Sequence, residues 1–317
     1  MITVEHVTKA YANQQHAVSD LSFEVPQGTI LGFLGPNGAG KTTTMRMLTG
    51  FMAPSSGRIA VAGFDTVKQS MEARRRIGYL PETPPLYNEL NVRAYLDFVG
   101  RLKGLKDKKQ RQARIAEVAE ACWISDVLNK TPNKLSKGYR QRVGLAQAII
   151  HKPDVIILDE PTIGLDPKQI QETRKLIKSL GGQHTVILST HILPEVQMTC
   201  DRVIIINKGR ILAEDTPENL IARSAGLQRV TLRVHGPQAE IEAHLKSLEI
   251  VQGVQYQRSD AELHTFLIES QAEGIQARLA REMVARDWGL YALQTAEGSL
   301  EDVFIQLVTN EQGGTDA

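Results

Sequence analysis

The chain has 317 residues, 42% of them hydrophobic and 23% charged, with a formal net charge of +1. That length has room for two cores, and the near-neutral balance excludes a global electrostatic pull toward nucleic acid or acidic lipid. No apolar run approaches the ~20 residues of a membrane span, and the opening MITVEHVTKAY lacks the apolar core of a secretory signal.

Cys122 and Cys200 have no metal-like spacing, which predicts reduced thiols in a cytosolic protein. Residues 1–5 and 17–25 alternate like antiparallel strands joined by a turn near Ala12-Asn13-Gln14. Tyr11, just before that turn, reads either as a core or surface tyrosine or as a ring face for a nucleotide base. Residues 29–34 read as a short buried strand. They run into Gly35-Pro36-Asn37-Gly38-Ala39-Gly40-Lys41-Thr42-Thr43, which has the spacing of a phosphate-binding loop. Glycines let several backbone N–H groups curl toward a polyphosphate. Lys41 can neutralise the β- and γ-phosphates, and the Thr42 hydroxyl can hold Mg²⁺. Residues 42–51 read as a helix whose N-terminus faces those phosphates.

Beyond a turn at 54–57, strands are predicted at 58–61 and 77–80, the second ending in the stiff, exposed loop Pro81-Glu82-Thr83-Pro84-Pro85. Residues 91–147 read as mostly helical, with Val92, Tyr95, Leu96 and Val99 on one face and Ile115, Val118, Ala119 and Cys122 on another. The basic run between them, 103–111, reads either as a solvated helix face or as a contact for anionic lipid headgroups. Ser136 is placed to cap a helix over 143–150. Residues 155–160 form a buried strand ending in Asp159 and Glu160, the end of a parallel strand where ligands bind. With a phosphate loop upstream, Asp159 becomes a Mg²⁺ partner and Glu160 the group that polarises the attacking water. A further buried strand, 185–190, carries His191 at the same sheet edge.

These residues resemble the ATPase subunit of ATP-binding-cassette transporters. GPNGAGKTT is similar to its Walker A motif, VIILDE to Walker B, LSKGYRQRV to the signature motif, Gly164-Leu165-Asp166 to the D-loop and His191 to the switch histidine. Tyr11 stands where the family places its adenine-stacking aromatic. The resemblance covers roughly residues 1–220. It implies an α/β P-loop NTPase domain over 1–223: a mixed-sheet core, an antiparallel β subdomain and a helical subdomain at about 83–150. It also implies a head-to-tail homodimer, or a pair with a homologous ATPase, around two ATPs. Each ATP would be closed by Ser136, Lys137 and Gly138 of the opposite subunit, with Asp166 nearby. A separate ABC-2-type permease would hold the chain peripherally at the inner face of the membrane, with no nucleic-acid partner expected. The alternative is a soluble cassette ATPase acting on nucleic acid or ribosomes.

Two positions depart from the family pattern. The signature reads Leu-Ser-Lys-Gly-Tyr, and Glu82 stands where a glutamine is usual. Both resemble the bacterial branch serving ABC-2 exporters, including gliding-motility and bacitracin-resistance types. A hard cation favours carboxylate oxygen, so Glu82 is expected to be a metal partner; the competing reading is an exposed loop acid. Residues 228–309 read as strand, helix, a hairpin across Ser259-Asp260-Ala261, helix and strand, closed by a helix capped by Ser299. That order predicts a small ferredoxin-like α+β domain. Residues 310–317 read as disordered.

Overall fold

The computed structural model describes residues 1–11, 16–224, 228–260, 262–272, 274–296 and 299–313. The turn expected at 12–14 and Ala261 of the expected hairpin lie outside them. The chain divides into two units, Met1–Pro217 and Glu218–Ala317.

The first unit begins with β1 (Ile2–Ala10), β2 (His16–Val25) and β3 (Ile30–Leu34), followed by α1 (Lys41–Leu48). Next come β4 (Ser56–Val61), β5 (Phe64–Asp65), α2 (Ser70–Arg76) and β6 (Ile77–Leu80). Three helices follow, α3 (Val92–Leu102), α4 (Lys108–Ala121) and α5 (Lys137–Ile149). The unit continues with β7 (Val155–Asp159), α6 (Pro167–Leu180), β8 (Thr185–Thr190), α7 (Leu193–Thr199), β9 (Arg202–Asn207) and β10 (Arg210–Asp215). Helix α8 (Pro217–Ser224) crosses the division between the units.

Two sheets organise this unit. One has the order β2-β1-β4-β5 and is antiparallel, with Ile2 paired to Val25 and to Val61. The other has the order β10-β9-β3-β8-β7-β6 and is parallel except for β10. Strands β3, β7 and β8 are buried throughout, as expected of parallel strands covered on both faces. Helix α1 contacts strands of both sheets, and one apolar cluster with Phe33, Met45, Leu48, Ile59 and Ile157 joins them. Burial pushes the Cys122 thiol up to about 12 and raises that of Cys200, so both are inert core cysteines.

Four expectations need correction. Helix α1 stops at Leu48, short of Phe51, because Gly50 turns the chain at φ +66°. Helix α5 starts at Lys137, six residues before the first expected turn, because the Ser136 hydroxyl accepts from the Tyr139 N–H and caps it there. The basic run is mostly a connector between α3 and α4, and two of its cations turn inward. Lys103 donates to the carbonyls of Arg74 and Ile77 at 2.8 and 2.9 Å, and Arg111 pairs with Asp97 at 2.8 Å inside the protein. Neither the solvated-face nor the lipid-contact reading describes the whole run.

The second unit contains β11 (Gln228–His235), α9 (Gln238–Ser247), β12 (Gly253–Asp260), β13 (Leu263–Ser270), α10 (Ile275–Ala285), β14 (Gly289–Ala296) and α11 (Leu300–Gly313). Its antiparallel sheet runs β12-β13-β11-β14, the ferredoxin-like arrangement. Ile241 and Leu245 of α9 and Leu279 and Met283 of α10 pack with Val230, Leu232 and Phe266 of the sheet. In the fourth correction, α11 runs on to Gly313, into the first four of the residues 310–317 for which disorder is expected, because propagation adds one backbone bond per residue even through a polar stretch; residues 314–317 lie outside the described residues.

Candidate active site

The loop between β3 and α1 is shaped by glycines that have no room for a side chain. A Cβ on Gly35 would lie 2.4 Å from the Ile206 carbonyl, and one on Gly40, at φ +104°, would lie 2.5 Å from that of Ala17. Gly40 precedes α1 without a side-chain cap, which leaves the first amides of the helix for a ligand. Lys41 is buried; its Nζ donates to the Gly35 and Pro36 carbonyls at 2.7 and 3.2 Å and lies 3.5 Å from Glu160 Oε1. A cavity of about 500 Å³ opens here, walled by the loop with Lys41, Thr42 and Thr43 and by Glu82, Glu160 and His191. Tyr11 is 45% exposed, with its hydroxyl 3.4 Å from Thr43 Oγ1 at the end of the loop.

The opposing wall is made by neighbouring parallel strands. Asp159, at the end of β7, pairs in register with Ser189 of β8. Its Oδ1 accepts from the Ser189 hydroxyl at 2.5 Å and the Thr42 hydroxyl at 3.4 Å, while its buried Oδ2 has no hydrogen-bond partner. Burial raises the Asp159 carboxyl above its ordinary range, and the nearby charges of Glu160 and Glu82 add to the rise. Glu160 sits at φ +50°, a conformation that non-glycine residues hold only when their surroundings enforce it. Its N–H is shared between the Ser189 carbonyl and hydroxyl at 3.1 and 3.3 Å, and both its carboxylate oxygens lie 3.0 Å from His191 Nδ1.

A phosphate cradle, a buried lysine and a carboxylate gripped by a histidine form a site for cleaving a phosphoanhydride with water. The family model described as ABC transporter matches residues 18–163. The chain is 35% identical over 317 residues to the bacitracin transport ATP-binding protein BcrA of Bacillus licheniformis, spanning 99% of this chain and 98% of that one. It is 33% identical over 310 residues to the linearmycin resistance ATP-binding protein LnrL of Bacillus subtilis, spanning 97% and 98%. The chain belongs to the ABC transporter family.

The fold agrees with that membership. The dimeric bacterial ABC transporter cassette MJ0796 superposes with a TM-score of 0.64 at 25% identity, covering 68% of this chain and 98% of that one. A structure of the same cassette in a post-hydrolysis state, bound to ADP and phosphate, superposes equally well. This chain is thus an ABC-type ATPase, and no helix among its described residues is long and apolar enough to cross a membrane.

Of the residues singled out in the sequence, Pro36 to Gly38, Gly40 to Thr43, Glu82, Glu160 and His191 gather at one cavity, with Asp159 behind Thr42 and Tyr11 beside Thr43, while Gly35 and the buried Ala39 do not line it. Ser136, Lys137, Gly138 and Asp166 do not line it. Lys137 and Gly138 lie instead against the segment 164–169 that carries Asp166. Lys137 lies across Gly164, a Cβ on Gly138 would fall 2.4 Å from Gln169 Oε1, and Asp166 caps α6 by accepting from the Gln169 N–H at 2.9 Å. Sequence reasoning missed Ser189, Ile163 and Ala17, and also Gln141, whose amide reaches the Glu160 carbonyl at 3.5 Å. Only the strand register, which puts Ser189 beside Asp159, signals the first of these.

Proposed function

We propose that this chain binds and hydrolyses ATP as one half of a head-to-tail dimer and thereby drives a separate ABC-2-type permease. The observation that carries the reading is the single cavity shared by the phosphate loop, Glu160 and His191. In it, the amides of the loop and Lys41 bind the polyphosphate. Glu160 orients and deprotonates the attacking water, and His191, held at 3.0 Å, fixes the Glu160 carboxylate. Tyr11 offers its exposed ring to the base.

The donor set also fits Mg²⁺. The partnerless, buried Asp159 Oδ2 and the mutual crowding of Asp159, Glu160 and Glu82 both favour a cation. Among the described residues no three His, Cys, Asp or Glu side chains form a metal cage. Mg²⁺ is commonly held by one or two carboxylates together with substrate phosphates. Thr42, Asp159 and Glu82 would hold it, and it would supply charge neutralisation on the phosphates.

Ser136, Lys137 and Gly138 stand away from their own chain's cavity, which supports a role on the nucleotide of the opposite subunit. Ser136 and Lys137 are exposed at the N-terminal end of α5, where the helix dipole favours an anion. We place permease docking on residues 82–100. Tyr87 and Phe98 are exposed there and in edge contact at 5.8 Å, beside a 410 Å³ groove lined by Phe51, Tyr79, Pro81 and Pro85. The named functions of BcrA and LnrL, whose matches span 99% and 97% of this chain, support the exporter branch. Two experiments test the reading. Phosphate release from MgATP should be lost in Lys41→Ala, and cysteines at Tyr87 or Phe98 should crosslink to the copurifying permease. Wild-type turnover in Lys41→Ala removes the site, and crosslinks confined to residues 228–309 remove the docking assignment.

A further inference from the structure

We infer that Glu195 is a positioning residue that sets the separation of Glu160 and His191; the inference rests on the roles proposed for that pair. Glu195 lies in the first turn of α7 and is 1% exposed. Its Oε1 accepts from the Thr162 hydroxyl at 2.5 Å and its Oε2 from the Thr190 hydroxyl at 2.9 Å. Both hydroxyls come from outside α7. Thr162 stands two residues after Glu160 and Thr190 immediately before His191, so one carboxylate grips both flanks of the pair. The Thr190 hydroxyl also accepts from the Ile192 N–H at 3.0 Å, which closes the turn that presents His191. Arg174, 3.8 Å from Oε1, supplies the countercharge.

The distance between the two catalytic side chains is therefore determined twice. On the cavity side it is the 3.0 Å contact of His191 Nδ1 with Glu160, and behind it is the bridge Thr162–Glu195–Thr190. A bridge is needed there. The left-handed conformation of Glu160 persists only if both sides of it are held. Ser189 holds the residue from the strand side, and Thr162 anchors the turn that leaves it. A carboxylate suits this task because it accepts two hydroxyls at once and both bonds are charge-assisted.

The test uses the full chain with MgATP. Glu195→Gln keeps the volume but turns an amide donor toward a hydroxyl. It should lower kcat by about 10- to 100-fold, as for a small misplacement of reacting groups, with the Kd for ATP unchanged. Combined with His191→Ala it should add no further loss, since both changes undo one geometry. Thr162→Val should lower kcat in the same way and Thr162→Ser should restore it, which decides the matter even if Glu195→Gln does not fold. Wild-type kcat in Glu195→Gln, a multiplicative loss in the double variant, or equal losses in Thr162→Val and Thr162→Ser would each overturn the inference. An inactive Glu160→Gln beside an unaffected Glu195→Gln defeats Glu195 alone. A fully active Glu160→Gln defeats the underlying site.

Discussion

The Glu160→Gln substitution removes one negative charge from a wall that Lys41 also faces, and its two consequences have opposite signs. Lys41 Nζ lies 3.5 Å from Glu160 Oε1 in a buried setting. At an effective dielectric of ~20, a unit pair at that distance attracts by about 5 kcal/mol, an upper bound on any net effect. The lysine also donates to the Gly35 and Pro36 carbonyls, so only part of that attraction is released to a phosphate. Even a fifth of it, ~1 kcal/mol, is about fivefold in Kd. ATP should therefore bind the variant more tightly than the wild type.

The chemical step should move the other way. Loss of a general base slows turnover by roughly 10²–10⁴-fold, or about 3–5 kcal/mol on the barrier. The variant should accordingly accumulate as an ATP-bound dimer. Steady-state phosphate release measures kcat, a fluorescent ATP analogue measures Kd, and size exclusion with light scattering measures assembly. Near-normal turnover would take Glu160 out of the chemistry. A loss of turnover accompanied by weaker ATP binding would make it a binding residue and refute the reasoning.

Glu82→Gln should retain substantial hydrolysis but shift the Mg²⁺ midpoint in a titration; superimposable curves would make Glu82 an exposed loop acid. Tyr11→Ala should weaken ATP binding by roughly 1–3 kcal/mol, the worth of one base stacked on an aromatic, and Tyr11→Phe should leave it near wild type, both read by equilibrium titration. Arg111→Met should destabilise the first unit by about 3 kcal/mol in urea unfolding by taking the buried partner from Asp97 and leaving it Arg101 and the Gln112 amide. Burial acts to raise the Asp97 carboxyl, but its bonds to Arg111 and Arg101 outweigh it and hold the group below its ordinary 3.8. The folded value is depressed, so this stabilisation is complete above 3.8 and is lost as the pH falls through the folded value. The gap between variant and wild type should close only in that acidic window.

The features legible in the sequence are those set by short-range order. The phosphate loop has a fixed spacing, and β3, β7 and β8 are continuous apolar runs because both their faces are covered. What escaped was decided by pairing between distant segments. Ser189 meets Asp159 only through the β7–β8 register, and Arg111 turns inward only because α4 packs against α3, where Asp97 waits. A charge run seen alone shows no such partner. The start of α5 is hidden for a related reason: Lys-Gly-Tyr-Arg-Gln-Arg carries no apolar periodicity, and the cap at Ser136 marks the true beginning. The same logic explains why three carboxylates were nameable one by one while their mutual effect was not. Asp159 and Glu160 stand at the end of β7 while Glu82 follows β6, and the Asp159 carboxyl is raised first by its burial and then by the charges that the sheet gathers from those two ends. A fold that crowds like charges beside a buried lysine and a cradle of amides pays for it in stability. That cost is recovered only when a cation and a polyphosphate share the cavity, so nucleotide and Mg²⁺ together should stabilise the first unit more than either one alone.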